Sequence, residues 1–147
     1  MKKILMGSIV LTAFAVSMTI FQISSCKKAN AQTATTFPIQ GLWTGTYITD
    51  GQSSLGPQYY SFAIKPDGTI ITDTKLSNQQ YVALGNWSLT GNVLTTSYTY
   101  INGGSSGIAT TQSTTATWDK SGKLTGSWKN VSPNNGSSGT FTLSRIN

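Results

Sequence analysis

The 147-residue chain has no histidine and no glutamate, a single cysteine and four acidic residues, all of them aspartates. Each absence closes a route to chemistry. Without histidine there is no side chain whose ordinary pKa lies near neutrality, so general acid–base work loses its usual agent. A single cysteine makes no intrachain disulfide, and without histidine it does not build a zinc site. A nucleophile paired with a base lacks the base. Two aspartates are enough in principle for glycoside hydrolysis. However, Asp67 in Pro66-Asp67-Gly68 and Asp119 in Asp119-Lys120-Ser121-Gly122 have turn-forming contexts, and Asp50 opens a Gly-rich loop. Asx side chains bond their own backbone in such turns. Only Asp73 falls inside a probable strand. No EF-hand-like spacing of oxygen ligands occurs. The expectation is a protein that is not an enzyme and carries neither cofactor nor metal. Helical periodicity of useful length is also missing beyond the first residues.

The positive charge is unevenly placed. The net charge is +6 and the pI about 9.6, but Lys2, Lys3, Lys27 and Lys28 all precede residue 30. The remainder is close to neutral and has no Lys/Arg stripe, which argues against a nucleic-acid partner. Lys27 and Lys28 suit anionic lipid headgroups or a solvated tether equally well.

What is present at the start is an address. Lys2 and Lys3 precede an apolar run from Ile4 to Ile23, and Ile23-Ser24-Ser25-Cys26 ends it. The order basic, apolar, small is that of a secretory signal. Gly7, Ser8, Thr12, Ser17, Thr19 and Gln22 dilute the run and disfavour an uncleaved membrane span. Ile23-Ser24-Ser25-Cys26 resembles the lipobox of bacterial lipoproteins, in which the cysteine is acylated and becomes the new N-terminus. That resemblance implies lipidation at Cys26 and a lipid-anchored protein of the bacterial cell envelope, at the outer membrane. Ala29-Asn30-Ala31 offers a competing site, and cleavage after Ala31 would release a soluble secreted or periplasmic protein. The lipobox is favoured because it abuts the apolar run, whereas Lys27 and Lys28 separate the run from Ala31. The organisation expected is a signal peptide over 1–25, a lipidated N-terminus and flexible tether over 26–39, and one domain over 40–147. That last span is long enough for one core and not for two.

Nearly every segment after Gln40 has strand chemistry, rich in Thr, Tyr, Trp, Val and Ile and broken by Gly, Asn, Asp and Pro. Eight strands are expected at 41–49, 58–65, 69–76, 80–90, 93–101, 108–118, 123–130 and 140–146. Pro66-Asp67-Gly68 and Gly91-Asn92 read as tight hairpins, and 50–57, 102–107 and 131–139 as longer Gly/Ser-rich loops. Tyr60, Phe62 and Ile64 alternate with Ser61, Ala63 and Lys65; Trp87 and Leu89 with polar neighbours; Leu124, Gly126 and Trp128 with Lys and Thr. One apolar face per strand is the pattern of antiparallel sheets. The fold class expected is all-β, an eight-stranded antiparallel up-and-down barrel, with a two-sheet β-sandwich as the alternative. The segment 108–118 is Thr-rich, but no regular T-x-T array repeats across neighbouring strands, and it reads as a solvated strand face.

Gly41-Leu42-Trp43 at the first strand and Arg145 at the last resemble the G-x-W and late-barrel arginine of the lipocalin and calycin group. The resemblance spans about 108 residues and implies a barrel in which the arginine packs on the tryptophan. Gly-x-Trp recurs at Gly85-Asn86-Trp87 and Gly126-Ser127-Trp128, and no long helix follows the barrel. Avidin-like barrels share the meander, but no biotin-binding set aligns. The candidate ligand-binding residues are Trp43, Tyr60, Trp87, Tyr98, Tyr100 and Arg145. They suit a small apolar or sugar-like ligand held without catalysis. The alternative is a structural lipoprotein with a filled barrel that meets another envelope protein through its loops.

Overall fold

The computed structural model describes residues 38–101, 109–133 and 136–147. The leader, Cys26 and the loop 102–107 lie outside them.

Eight strands follow one another around a closed barrel: β1 (Gly41–Thr49), β2 (Gln58–Ile64), β3 (Thr69–Leu76), β4 (Gln79–Thr90), β5 (Val93–Tyr100), β6 (Thr111–Trp118), β7 (Lys123–Ser132) and β8 (Ser138–Ile146). Every sequential pair is antiparallel, and β1 closes the ring against β8 from Leu42↔Ile146 to Thr49↔Gly139. Closure leaves no strand edge to be covered. The barrel excludes the sandwich alternative. One short 3₁₀ turn, Ser53–Leu55, is the sole helical element among the described residues.

The connections sort the barrel into two poles. At one, the turn pole, Asp67, Gly91-Asn92 and Asp119 reverse the chain tightly. Asp67 accepts from Thr69 N and Oγ1 at 2.9 and 2.6 Å; Asp119 Oδ1 accepts from the backbone N–H groups of Ser121, Gly122 and Lys123 at 2.8–2.9 Å. Gly91, at φ 63°, supplies the positive φ that a two-residue hairpin needs at its first position. At the other, the loop pole, β1–β2, β5–β6 and β7–β8 are joined by the longer segments, and Ser77 and Asn78 (φ 49° and 70°) make the one tight hairpin.

Alternation holds throughout. β5 alternates strictly, with Leu94, Thr96, Tyr98 and Tyr100 buried and Val93, Thr95, Ser97 and Thr99 exposed. The turn pole is filled by Trp43, Ile64, Ile70, Leu94, Leu124 and Leu143. Pro38 and Ile39 belong to this seal rather than to a tether. Ile39 is fully buried, and its carbonyl accepts from Trp43 Nε1 at 2.9 Å. Arg145 completes the seal from outside. Its guanidinium donates to the carbonyls of Pro38 (3.0 Å) and Gln40 (2.5 Å) and lies 6.0 Å from the Trp43 ring centroid.

On the outer surface the register shows an order that the linear chain conceals. Thr117, Thr125, Thr142 and Thr46 form one row across β6, β7, β8 and β1, and Thr115, Ser127 and Thr140 form the next. Only β6 and β8 carry T-x-T in these rows; β7 has Thr125-x-Ser127, and β1 adds Thr46 with Ile48 beside it, so the array is partial. The wall of an eight-stranded barrel is curved, so the rows do not lie in one plane.

Candidate functional site

The mid-barrel is packed with rings set edge to face. Phe62 meets Tyr60 at a centroid distance of 4.8 Å and Phe141 at 5.5 Å, and Tyr60 meets Phe141 at 5.3 Å. Such pairs add about 0.5–1.5 kcal/mol each beyond their buried area. This layer separates the sealed turn pole from the loop pole.

Above it the interior turns polar. Tyr60 and Tyr98, on β2 and β5, join hydroxyl to hydroxyl across the barrel. Tyr98 and Tyr100 both donate to Gln112 Oε1 at 3.1 Å, and Gln112 Nε2 donates to Asn130 Oδ1 at 2.8 Å. The Tyr100 hydroxyl also lies 3.5 Å from Thr74 Oγ1. Tyr81 stands edge-on to Tyr100 at 6.3 Å, and Tyr47 edge-on to Trp128 at 5.8 Å, on the opposite wall. Gln112 and Asn130 are half-buried and lie toward the loop pole. Thr72 Oγ1, fully buried on β3, has no hydrogen-bond partner. An unpaired buried hydroxyl costs about 1–3 kcal/mol.

The tyrosines are locked in the neutral form. Burial pushes the hydroxyls of Tyr60 and Tyr98 well above the ordinary tyrosine range; nearby tyrosines add to it, although the bond to Tyr60 pulls Tyr98 back down in part. Burial raises Tyr100 to about 12. All three act as hydrogen-bonding groups at physiological pH, not as bases.

Of the six residues singled out from the sequence, the fold brings Tyr60, Tyr98 and Tyr100 into this one network. Trp43 and Arg145 are together at the turn pole, below the aromatic layer, where they hold Pro38, Ile39 and Gln40. Trp87 is also at the turn pole, against the β2–β3 turn. It is half-buried near the end of β4, with its indole N–H donating to the Lys65 carbonyl at 2.9 Å. Sequence reasoning missed Gln112 and Asn130. Gln112 lies in a Thr-rich segment read as a solvated face, and Asn130 in a strand read for its Trp128. The available signal was parity: Gln112 is two residues before the inward Thr114, and Asn130 two after the inward Trp128. Among the described residues no group of three or more His, Cys, Asp or Glu side chains stands together as a metal site.

The fold and site together define a closed eight-stranded meander, sealed at one pole and lined with tyrosine and amide groups at the other. Compared with protein families, with characterised proteins and with solved structures, the chain finds no match.

Proposed function

We propose that the protein is a non-catalytic, lipid-anchored envelope protein with a lipocalin-like barrel, and that it binds a small sugar-like or partly apolar ligand at its loop pole. The observation that carries this reading is the Tyr60–Tyr98–Gln112–Tyr100 network at the mouth. Its tyrosine hydroxyls are buried and bonded within the network, and the half-buried amides of Gln112 and Asn130 are the groups a ligand would meet first. Ring faces suit the C–H faces of a sugar or an apolar moiety, and the polar groups fix its orientation. The packed aromatic layer limits such a ligand to the upper part of the barrel. The anchoring rests on Ile23-Ser24-Ser25-Cys26.

The test is a titration of the full chain with mono- and disaccharides and with short fatty acids, followed by tryptophan emission. Trp128, beside Tyr47 at the mouth, is the reporter. Gln112→Ala should weaken the response at least about tenfold, the value of one buried polar contact. Trp43→Phe, beneath the aromatic layer, should leave affinity unchanged. No emission change with any probe would refute the reading.

The aromatic filling of the mid-barrel favours a second reading, a scaffold whose loops meet another envelope protein. That reading predicts that replacing 102–107 or 131–139 abolishes crosslinking to the partner, while Gln112→Ala alters stability alone.

A further inference from the structure

A hollow lies at the turn pole, outside the barrel. A cleft of about 770 Å³ opens between the β2–β3 turn, the β6–β7 turn and the end of β8, and Lys65, Lys120, Arg145 and Trp118 line it. Three of the six cations between residues 40 and 147 therefore meet in one hollow. None of them forms an ion pair among the described residues. The nearby carboxylates are otherwise engaged. Asp67 is held below the usual carboxylate range chiefly by the Thr69 hydroxyl and N–H, with Lys65 a lesser contributor, and Asp119 is saturated by its own turn. Arg145 spends one N–H on Pro38 and one on Gln40, which leaves three of its five donors for another acceptor. Trp118, only 8% exposed, keeps an indole N–H with no partner.

Three cations that form no direct ion pair among the described residues, with the Asp67 and Asp119 carboxylates turned to their own backbone and an unpaired donor beside them, match the chemistry of a phosphate. Arginine and lysine are the usual groups for it, the first as a fork and the second as a point charge. We propose that this cleft binds a phosphate-bearing anion, either a free phosphate or a lipid headgroup. The headgroup source rests on the anchoring reading above. Residues 27–37 join Cys26 to the turn pole, and a chain of that length reaches at most about 40 Å. A tether of that length is long enough for an anchored molecule to bring the cleft to the headgroup layer.

The test follows the Trp118 indole N–H resonance of the full chain in maltoside micelles, assigned with Trp118→Phe. Inorganic phosphate, phosphatidylglycerol, phosphatidylcholine and, at matched ionic strength, chloride are added separately. A saturable shift with phosphate, absent with chloride, assigns a soluble anion. A shift with phosphatidylglycerol alone assigns the headgroup. In either case Lys65→Gln with Lys120→Gln should weaken binding at least about tenfold, each lysine near a phosphate layer being worth roughly fivefold. Lys75→Gln with Lys129→Gln, on other parts of the wall, should change nothing. A shift that chloride reproduces, a shift indifferent to the Lys65/Lys120 pair, or no shift with any addition would overturn the proposal. Membrane fractionation of the same preparation reports the anchor separately. A soluble protein whose indole resonance still responds to phosphate would refute the anchor and keep the site.

Discussion

Gly85→Ala should be among the most damaging small changes in the barrel. Gly85 sits in mid-β4 opposite Tyr98 on β5. A methyl built on it would lie 2.0 Å from the Ser97 carbonyl oxygen, 2.5 Å from Tyr98 Cα and 2.6 Å from Tyr98 Cβ. Ordinary contact begins at 3.4 Å, so the closest approach is short by about 1.4 Å. The obstacles are backbone atoms and a Cβ, none of which swings aside on a flexible bond. Relief requires β4 and β5 to separate, which strains ladder hydrogen bonds worth about 1 kcal/mol each. Overpacking of this kind costs about 1–3 kcal/mol or more. Alanine recovers about 0.5–1 kcal/mol of the backbone entropy that glycine loses on folding. The expected net loss is about 1–3 kcal/mol, a fall in Tm of roughly 4–12 °C for a domain of this size. Urea unfolding followed by tryptophan emission measures it. Gly136→Ala is the control, because a methyl there meets nothing within 4 Å, and it should stay within about 0.5 kcal/mol of wild type. A Gly85→Ala protein as stable as wild type would refute the close-approach argument, and so would an equal loss in Gly136→Ala.

Three further outcomes are expected. Stability should change little between pH 6 and 10 and fall as pH rises toward 12. The folded-state pKa of Tyr100 is raised, to about 12, so its contribution is fully present below the unfolded value and lost as pH climbs through the folded one. That residue alone accounts for roughly 2–3 kcal/mol at about 1.4 kcal/mol per unit, with Tyr60 and Tyr98 acting in the same direction, and urea midpoints at pH 8 and 11.5 give the slope. Trp43→Ala, at a fully buried position, should cost about 3–5 kcal/mol by denaturant unfolding, whereas a loss under 0.5 kcal/mol would place the indole outside the core. Cys26→Ser should move the protein from the membrane to the soluble fraction while far-UV circular dichroism stays β; wild type recovered as a soluble chain beginning at Gln32 would show cleavage after Ala31 instead.

The strand plan was legible because two signals agreed along the whole domain. Alternation placed Tyr60, Phe62 and Ile64 inward, and Asp67, Gly91 and Asp119 marked the reversals. Strand ends moved by only a few residues: β6 begins at Thr111 rather than 108, and β8 at Ser138 rather than 140. Half of the candidate site was legible for the same reason, since Tyr98 and Tyr100 share parity with Leu94. Depth along the barrel was not. Parity says in or out, but not which pole, so Trp43 and Tyr98 looked equivalent although an aromatic layer divides them. Partnerships across strands were hidden as well. Gln112 meets Tyr98 and Asn130, and the threonine rows form, only once the register is fixed. The repeated Gly-x-Trp was visible, yet its physical content was not. Gly85 and Gly126 are where neighbouring backbone leaves no room for a Cβ.

The seal that Arg145 makes with Pro38 and Gln40 brings the entry and exit of the barrel's chain to one pole. Pro38 and Asn147 can each be fused or grafted to a bead, an electrode or a second protein without an addition crossing the mouth. With its interior rings cross-braced and its handles grouped at the far pole, the barrel has the layout of a display cup. New specificities can be sought by varying the loop-pole residues while the attachment chemistry stays untouched.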